Sequence, residues 1–237
     1  GRTETISWIL RTSGFGTSVI SGLIYGNGIF VASVYTGGGI RASTDGITWI
    51  LRTNFPVAPW WDADSGIYDG TNYFFCGGGV SAGALIASTD SIIWILRTSG
   101  FGIVNLNAIS YGSNQTQKYI IGGNGILRSS TDSISWVSRT YSAFNALSSI
   151  YDGTNYYLAG VSGNLAVSTD AINWFLRTSG AGASNIIKIN YGSVYLMTLG
   201  TGGILSSTNG IQWTLRTSGF GTSTIYGIAY KIGRAHV

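Results

Sequence analysis

Short apolar runs alternate along the chain with pairs and triplets rich in Gly, Asn, Asp and Ser. Residues 144–178 show the plan. "NALSSIYD" reads as a strand, "GTN" as a turn and "YYLAGV" as a second strand. A second turn, "SGN", leads to a third strand, "LAVST", and the pair "DA" leads to a fourth, "INWFLRT". Turn residues at this spacing, between β-branched and aromatic runs, predict antiparallel hairpins. Helices do not fit: Gly recurs throughout, 36 times, and no 3.6-residue period is visible.

The same plan returns along the chain. Its marker is a stretch such as "STDGITWILRT" at 43–53, repeated as "STDSIIWILRT" at 88–98, "STDSISWVSRT" at 130–140, "STDAINWFLRT" at 168–178 and "STNGIQWTLRT" at 207–217. A worn copy, "TETISWILRT", opens the chain at 3–12. The motif tryptophans Trp8, Trp49, Trp94, Trp136, Trp174 and Trp213 are spaced by 41, 45, 42, 38 and 39 residues. Four short strands in a period near 40 are the blade of a β-propeller. The expected fold is therefore all-β, a propeller of four-stranded antiparallel blades forming one domain over 1–230. Five complete blades are drawn at about 17–53, 62–98, 103–140, 144–178 and 183–217. Residues 1–12 read as the outer strand of a split partial blade and 222–230 as its inner strand. The middle strands of that blade are missing, so the chain is expected to be a slice of a longer propeller. In the fourth strand Ile47, Trp49 and Leu51 alternate with Thr48, Ile50 and Arg52, which predicts one face packing between blades.

Composition narrows the function. Charged residues make only 9% of the chain and aromatics 13%, the profile of a folded protein rather than a disordered one. The net charge is +4, but six of the ten arginines occupy one repeat position, so no basic patch for nucleic acid is predicted. No apolar run is long enough for a membrane span. The lone Cys76 excludes an internal disulfide. The final "KIGRAHV" resembles a translated sequencing adapter, so 231–237 are read as a non-native tail. With that tail would go His236, the only histidine.

The stretch "S-T-D-G-I-T-W" resembles the Asp-box of sialidases and related BNR-repeat propellers, whose pattern is Ser-x-Asp-x-Gly-x-Thr-Trp. Here the Asp-to-Trp spacing is one residue shorter. The resemblance covers nearly the whole chain as a repeat. It implies a hairpin between third and fourth strands, on the rim away from the ligand face. The structural Asp-box residues are then Ser43, Asp45, Trp49, Asp90, Trp94, Asp132, Trp136, Asp170, Trp174, Asn209 and Trp213. Residue chemistry agrees: Asp and Ser oxygens accept from turn N–H groups, and Asn209 in place of Asp suits an acceptor but not a general acid. The recurring arginines Arg11, Arg52, Arg97, Arg139, Arg177 and Arg216 are read as one structural Arg repeated, bonding carbonyls or stacking on an aromatic, rather than as an anion-binding ring.

The residues that escape the repeat are few. Sialidases use three arginines, a Tyr nucleophile with a Glu partner and an acidic donor, whereas only Arg2, Arg41 and Arg128 lie outside the repeat and tail. Glu4 is the only Glu. Asp69 and Asp152 sit in "YDGTNY" turns. No catalytic residues and no metal ligands are assigned, and no cofactor is expected. Two carboxylates, Asp62 and Asp64, fall short of a calcium site. They belong to the one segment that breaks the repeat, "NFPVAPWWDADSG" at 54–66, with Trp60 and Trp61. Trp beside Asp offers a ring for a sugar to stack on and carboxylates for its hydroxyls, so Trp60, Trp61, Asp62 and Asp64 are the candidate ligand-binding residues. The competing reading is a longer linker whose Trp pair fills an apolar gap. The leading function is a non-catalytic binding or display module on a cell surface or virion, with a glycan or another protein as partner. A structural repeat domain of a phage tail or adhesin is the first alternative. A sialidase-like hydrolase fragment without its catalytic residues is the second.

Overall fold

The structure is a computed structural model that describes residues 14–17, 19–34, 39–53, 62–78, 83–98, 101–140 and 145–229. The strand expected at 1–12, the insert residues 54–61 and the tail at 231–237 lie outside these. Among the described residues the chain forms five four-stranded antiparallel sheets, each an up-and-down meander. The first holds β1 (Ile20–Gly26), β2 (Ile29–Val34), β3 (Ile40–Ser43) and β4 (Ile50–Thr53). The second holds β5 (Asp62–Tyr68), β6 (Tyr73–Gly78), β7 (Ala84–Ser88) and β8 (Ile95–Thr98). The third holds β9 (Leu106–Tyr111), β10 (Tyr119–Gly123), β11 (Leu127–Ser130) and β12 (Val137–Ser138). The fourth holds β13 (Ala146–Tyr151), β14 (Tyr156–Gly160), β15 (Leu165–Ser168) and β16 (Phe175–Arg177). The fifth holds β17 (Ile186–Tyr191), β18 (Tyr195–Leu199), β19 (Ile204–Ser207) and β20 (Thr214–Arg216). First strands of consecutive sheets neighbour one another, β1 beside β5 and so on to β17, and all five line one central channel. The fold is a five-bladed β-propeller.

The core lies between blades. The strands β6, β10 and β14 are buried at every residue, because alternate side chains serve two different neighbours. Tyr73 and Phe75 pack with Ile24, Val31 and Ile40 of the first blade. Phe74 and Cys76, on the other face, pack with Leu106, Ile109 and Ile121 of the third. Burial in that apolar layer pushes the Cys76 thiol far above its ordinary pKa and leaves it inert. Gly66 marks how closely two blades approach: a Cβ there would lie 2.6 Å from Ile24 Cδ1 of the first blade.

Polar bonds tie the same layers together. The first residue of β6, β10, β14 and β18 is a Tyr whose hydroxyl reaches the turn between first and second strands of the preceding blade. Tyr73 donates to the Gly26 carbonyl at 2.6 Å, and Tyr156 reaches the Lys118 carbonyl at 2.8 Å. Tyr119 and Tyr195 donate to carboxylates, Asp69 at 2.6 Å and Asp152 at 2.5 Å. In β2 the equivalent residue is Phe30, paired with Tyr25 as Tyr73 is with Tyr68.

Two expectations need correction. The link between third and fourth strands is not a two-residue turn. Strand β3 ends at Ser43 and β4 begins at Ile50, past the Trp, and the other blades repeat this. The outer strand is therefore short, and its Ile and Leu side chains do not pack between blades. Ile50, Leu51, Ile95 and Leu96 are exposed, and only the tryptophans turn inward, with Trp94 buried. Residues 222–229 also form no strand, since no described strand pairs with them. Even so, Gly227, Ile228 and Ala229 line the channel beside the five inner strands.

Tyr119→Phe and Tyr195→Phe are expected to lower unfolding free energy by about 1.5–3 kcal/mol, the range for a bond to a charged group. Tyr73→Phe and Tyr156→Phe, which give up bonds to carbonyls, should cost about 0.5–1.5 kcal/mol. Urea denaturation of the four variants measures the difference.

Candidate functional site

The Ser-Asp hairpins are one structure built five times. In the first, Ser43 Oγ donates to Asp45 Oδ1 at 2.9 Å, and the same Oδ1 accepts from the N–H groups of Ile47 and Thr48 at 2.8 Å each. Asp90, Asp132 and Asp170 make the equivalent bonds with Ser88, Ser130 and Ser168 and the N–H groups two and three residues on. Asn209 does so through its carbonyl oxygen, to Ile211 and Gln212 at 2.9 and 3.0 Å. The residue after the acceptor takes a left-handed conformation in every copy: Gly46, Ser91, Ser133, Ala171 and Gly210 have φ between 59° and 69°. In each Asp copy one carboxylate oxygen, Oδ1, is committed to the hairpin's own N–H groups. The Thr48 and Ile47 N–H groups and the Ser43 hydroxyl hold the Asp45 carboxyl at about 2. Burial alone would raise Asp170, but the Asn173 and Ile172 N–H groups, the Asn173 amide and the Ser168 hydroxyl outweigh it and bring it to about 2.

Two of the recurring arginines show a partner other than the one expected, while Arg52 and Arg97 keep a buried Nε with no hydrogen-bond partner. Arg139 and Arg216 donate through Nε to serine hydroxyls on the adjacent strand, Ser129 at 2.6 Å and Ser206 at 2.7 Å, not to carbonyls. Of the three arginines outside the repeat and tail, Arg2 lies outside the described residues. The other two serve the blade linkers: Arg41 lies over the Phe15 ring at 4.9 Å and Arg128 over the Phe101 ring at 5.2 Å. Each ring also meets a motif Trp, Phe15 with Trp49 and Phe101 with Trp136.

What remains is the central channel, a cavity of about 800 Å³ walled by the five inner strands, within the usual range for a ligand site. These strands run the same way, so equivalent residues form rings. Tyr25, Tyr68, Tyr111, Tyr151 and Tyr191 ring the mouth next to the Ser-Asp hairpins. Each stacks on the first aromatic of its own second strand, with centroids 4.4–4.9 Å apart. At the opposite, linker-side end each inner strand carries an extra residue that breaks the ladder register: Ser21, Asp64, Asn107, Leu147 and Ile187. Such bulges bend a strand and re-aim side chains at a rim. Asp64 and Lys188 bring charge to this wall from β5 and β17. Burial lowers the Lys188 pKa, opposed by the nearby Cys76 and Asp64.

Of the four candidate ligand residues, Asp64 thus stands in the channel wall. Asp62 begins β5, though its side chain lies outside the described residues, as do Trp60 and Trp61. The segment 54–66 is not all linker, because 62–66 belong to the inner strand. Lys188 escaped sequence reasoning. The available signal was its register: Gly22, Ser65, Ala108 and Ser148 occupy the position just after the bulge in the other blades, and Lys188 is the charged exception.

No family model and no curated protein matches this chain. Solved structures do. YCF48 from Cyanidioschyzon merolae superposes with a TM-score of 0.66 at 15% identity, covering 95% of this chain and 80% of that one. A structure of YCF48 bound to D1 peptide gives 0.59 at 14%, covering 89% and 69%. Catalytically inactive virginiamycin B lyase from Staphylococcus aureus with quinupristin gives 0.71 at 11%, covering 87% and 72%. At such identities the likeness shows the propeller fold alone. Among the described residues no helix is long and apolar enough to cross a membrane, and no cluster of three or more His, Cys, Asp or Glu could hold a metal.

Two measurements follow. Asp45 and Asp170 sit at about 2 in the fold against an ordinary 3.8, so their stabilisation is complete above 3.8 and disappears as pH falls toward 2. A variant combining Asp45→Asn, Asp90→Asn, Asp132→Asn and Asp170→Asn should lose less Tm than the parent between about pH 5 and about pH 2. Separately, Ser91 has φ 62° and a buried hydroxyl without a partner. Ser91→Gly should stabilise the protein by about 1 kcal/mol in thermal unfolding. Gly210→Ala should destabilise it, because φ is 68° and a Cβ would collide with the Tyr157 hydroxyl.

Proposed function

We propose that this chain is a non-catalytic binding propeller of Asp-box type, displayed on a cell surface or virion, that holds a glycan at the linker-side mouth of its channel. The observation that carries this reading is the position of Asp64. It is the extra residue of the β5 bulge, in the wall of the channel, and its strand follows directly on Trp61 in the chain. Chain connectivity alone therefore keeps Trp60 and Trp61 within a few residues of that wall. Aromatic rings stack on the apolar faces of sugars while a carboxylate and an ammonium bond their hydroxyls. Asp64 and Lys188 provide those two groups from the second and fifth blades.

Binding without hydrolysis is the reading these residues support. Glycoside hydrolysis ordinarily needs a suitably spaced carboxylate pair. Among the described side chains Asp64 is the single carboxylate of the channel wall, and the hairpin carboxylates lie outside that wall, each with its Oδ1 bound to its own turn.

A glycan array with the parent protein and the Trp60→Ala/Trp61→Ala variant tests the proposal. The parent should give discrete signals, and the double variant should lose them by roughly tenfold or more, given about 0.5–1.5 kcal/mol per aromatic contact. Asp64→Asn should weaken the same signals. A folded parent that binds no glycan rules the reading out.

A further inference from the structure

The outer rim of the propeller has chemistry that the channel does not use. Every fourth strand is a sheet edge, with no described strand on its outer side. Proteins ordinarily blunt such edges with Lys, Pro or a bulge, because unpaired N–H and C=O groups template the addition of another strand. The first two blades are blunted: the ladder slips between Ile40 and Arg41 against β4, and between Leu85 and Ile86 against β8. The third has only the two-residue β12. The fourth and fifth are different. Strands β16, Phe-Leu-Arg, and β20, Thr-Leu-Arg, pair in unbroken register with β15 and β19, and all six residues are exposed. Phe175 is 63% exposed, Leu176 58% and Leu215 66%.

We propose that these two edges are docking sites for an extended segment of a partner protein in which acidic and aliphatic residues alternate, added as a fifth strand. The alternation follows from the pleat. Phe175 and Arg177 share one face of β16, and Leu176 lies on the other. An added strand meets a cation on one face and an aliphatic surface on the other. Charge complementarity sets the sign: neither edge strand, nor the strand it pairs with, contains a carboxylate, while each edge carries an Arg.

A second copy of this chain does not fit that description. Its Asp45, Asp90, Asp132 and Asp170 are bound in their own hairpins, and Asp69 and Asp152 in turns that also bind Tyr119 and Tyr195. Its one acid-alternating stretch, Asp62-Ala63-Asp64, is committed to the inner strand β5. A lipid surface does not fit either. Consecutive blades are rotated about the channel, so their edges diverge and a flat surface meets them singly. Backbone pairing at a sheet edge is a common mode of peptide capture.

The test uses the full chain and three octapeptides: alternating Glu and Val, alternating Lys and Val, and the Glu-Val peptide with alternate amides N-methylated. Fluorescence anisotropy should show the Glu-Val peptide binding, and the other two at least about tenfold weaker, since one loses the charge match and the other the ladder bonds. Arg177→Gln should weaken binding at the fourth-blade edge about fivefold, the upper end for an exposed ion pair, and leave the fifth-blade edge unchanged. Arg177 is exposed, so this variant should keep the parent Tm. Leu215→Lys, a common edge-blunting substitution, should remove the fifth-blade site alone. Equal binding of all three peptides, or no binding by any, overturns the proposal. So does edge-dependent self-association in sedimentation, or capture by vesicles of anionic lipid that Arg177→Gln abolishes while the peptides stay unbound.

Discussion

A four-stranded sheet with apolar residues on both faces has to be covered twice, and the rest of this structure depends on how that is done. In β6, β10 and β14 every residue is buried. One blade can cover only one face of its neighbour, so the sheets succeed only by stacking in sequence around an axis. The apolar layers Ile24–Val31–Tyr73–Phe75 and Phe74–Cys76–Leu106–Ile121 are consecutive versions of one solution. Buried area of this kind is non-directional. Register comes from the tyrosines, whose hydroxyls reach a fixed turn of the preceding blade. Tyr68, Tyr73 and Ser88 lie side by side across three strands, as do Tyr151, Tyr156 and Ser168. The serine that ends that row is the one that caps the hairpin, so interblade bond and hairpin are set by a single register.

The hairpin shows how a repeated motif is conserved by geometry without being a site. Its Asp satisfies N–H groups that a six-residue connection would leave bare, and Asn209 does the same with no charge. The position after it is left-handed in all five copies, occupied by Gly twice, Ser twice and Ala once. Gly210 stays Gly for a second reason, the Tyr157 hydroxyl beside it. One local rule is thus modified blade by blade through interblade contacts.

Much of this was legible before any coordinates. The strand–turn alternation at 144–178 and the Trp spacing led to blades, because a period-two apolar pattern broken by Gly and Asn allows little else. Subtracting the repeat isolated Asp64, which does line the channel. Other features were not legible. "ITWILRT" alternates cleanly, yet the first half is loop and the second an exposed edge. The Asp and Ser bonds hold the chain out of the ladder until after Trp49, and alternation alone does not reveal where pairing begins. Asp69 and Asp152 looked like ordinary turn residues, and their second oxygens turned out to bind tyrosines 50 and 43 positions away.

The chain's local chemistry, then, decided strands, turns, hairpin caps and the number of blades, since each depends on neighbours within a few residues. Tertiary structure decided which equivalent residues face one another around the axis. Lys188 reads as one polar residue in "NIIKINY", but the ring places it in a half-buried wall with Asp64, from a strand more than a hundred residues earlier. The bulges that open that wall, and the difference between the blunted edges of the first blades and the regular edges of the last two, depend on how strands pair. Pairing is a relation between segments, and no single segment contains it.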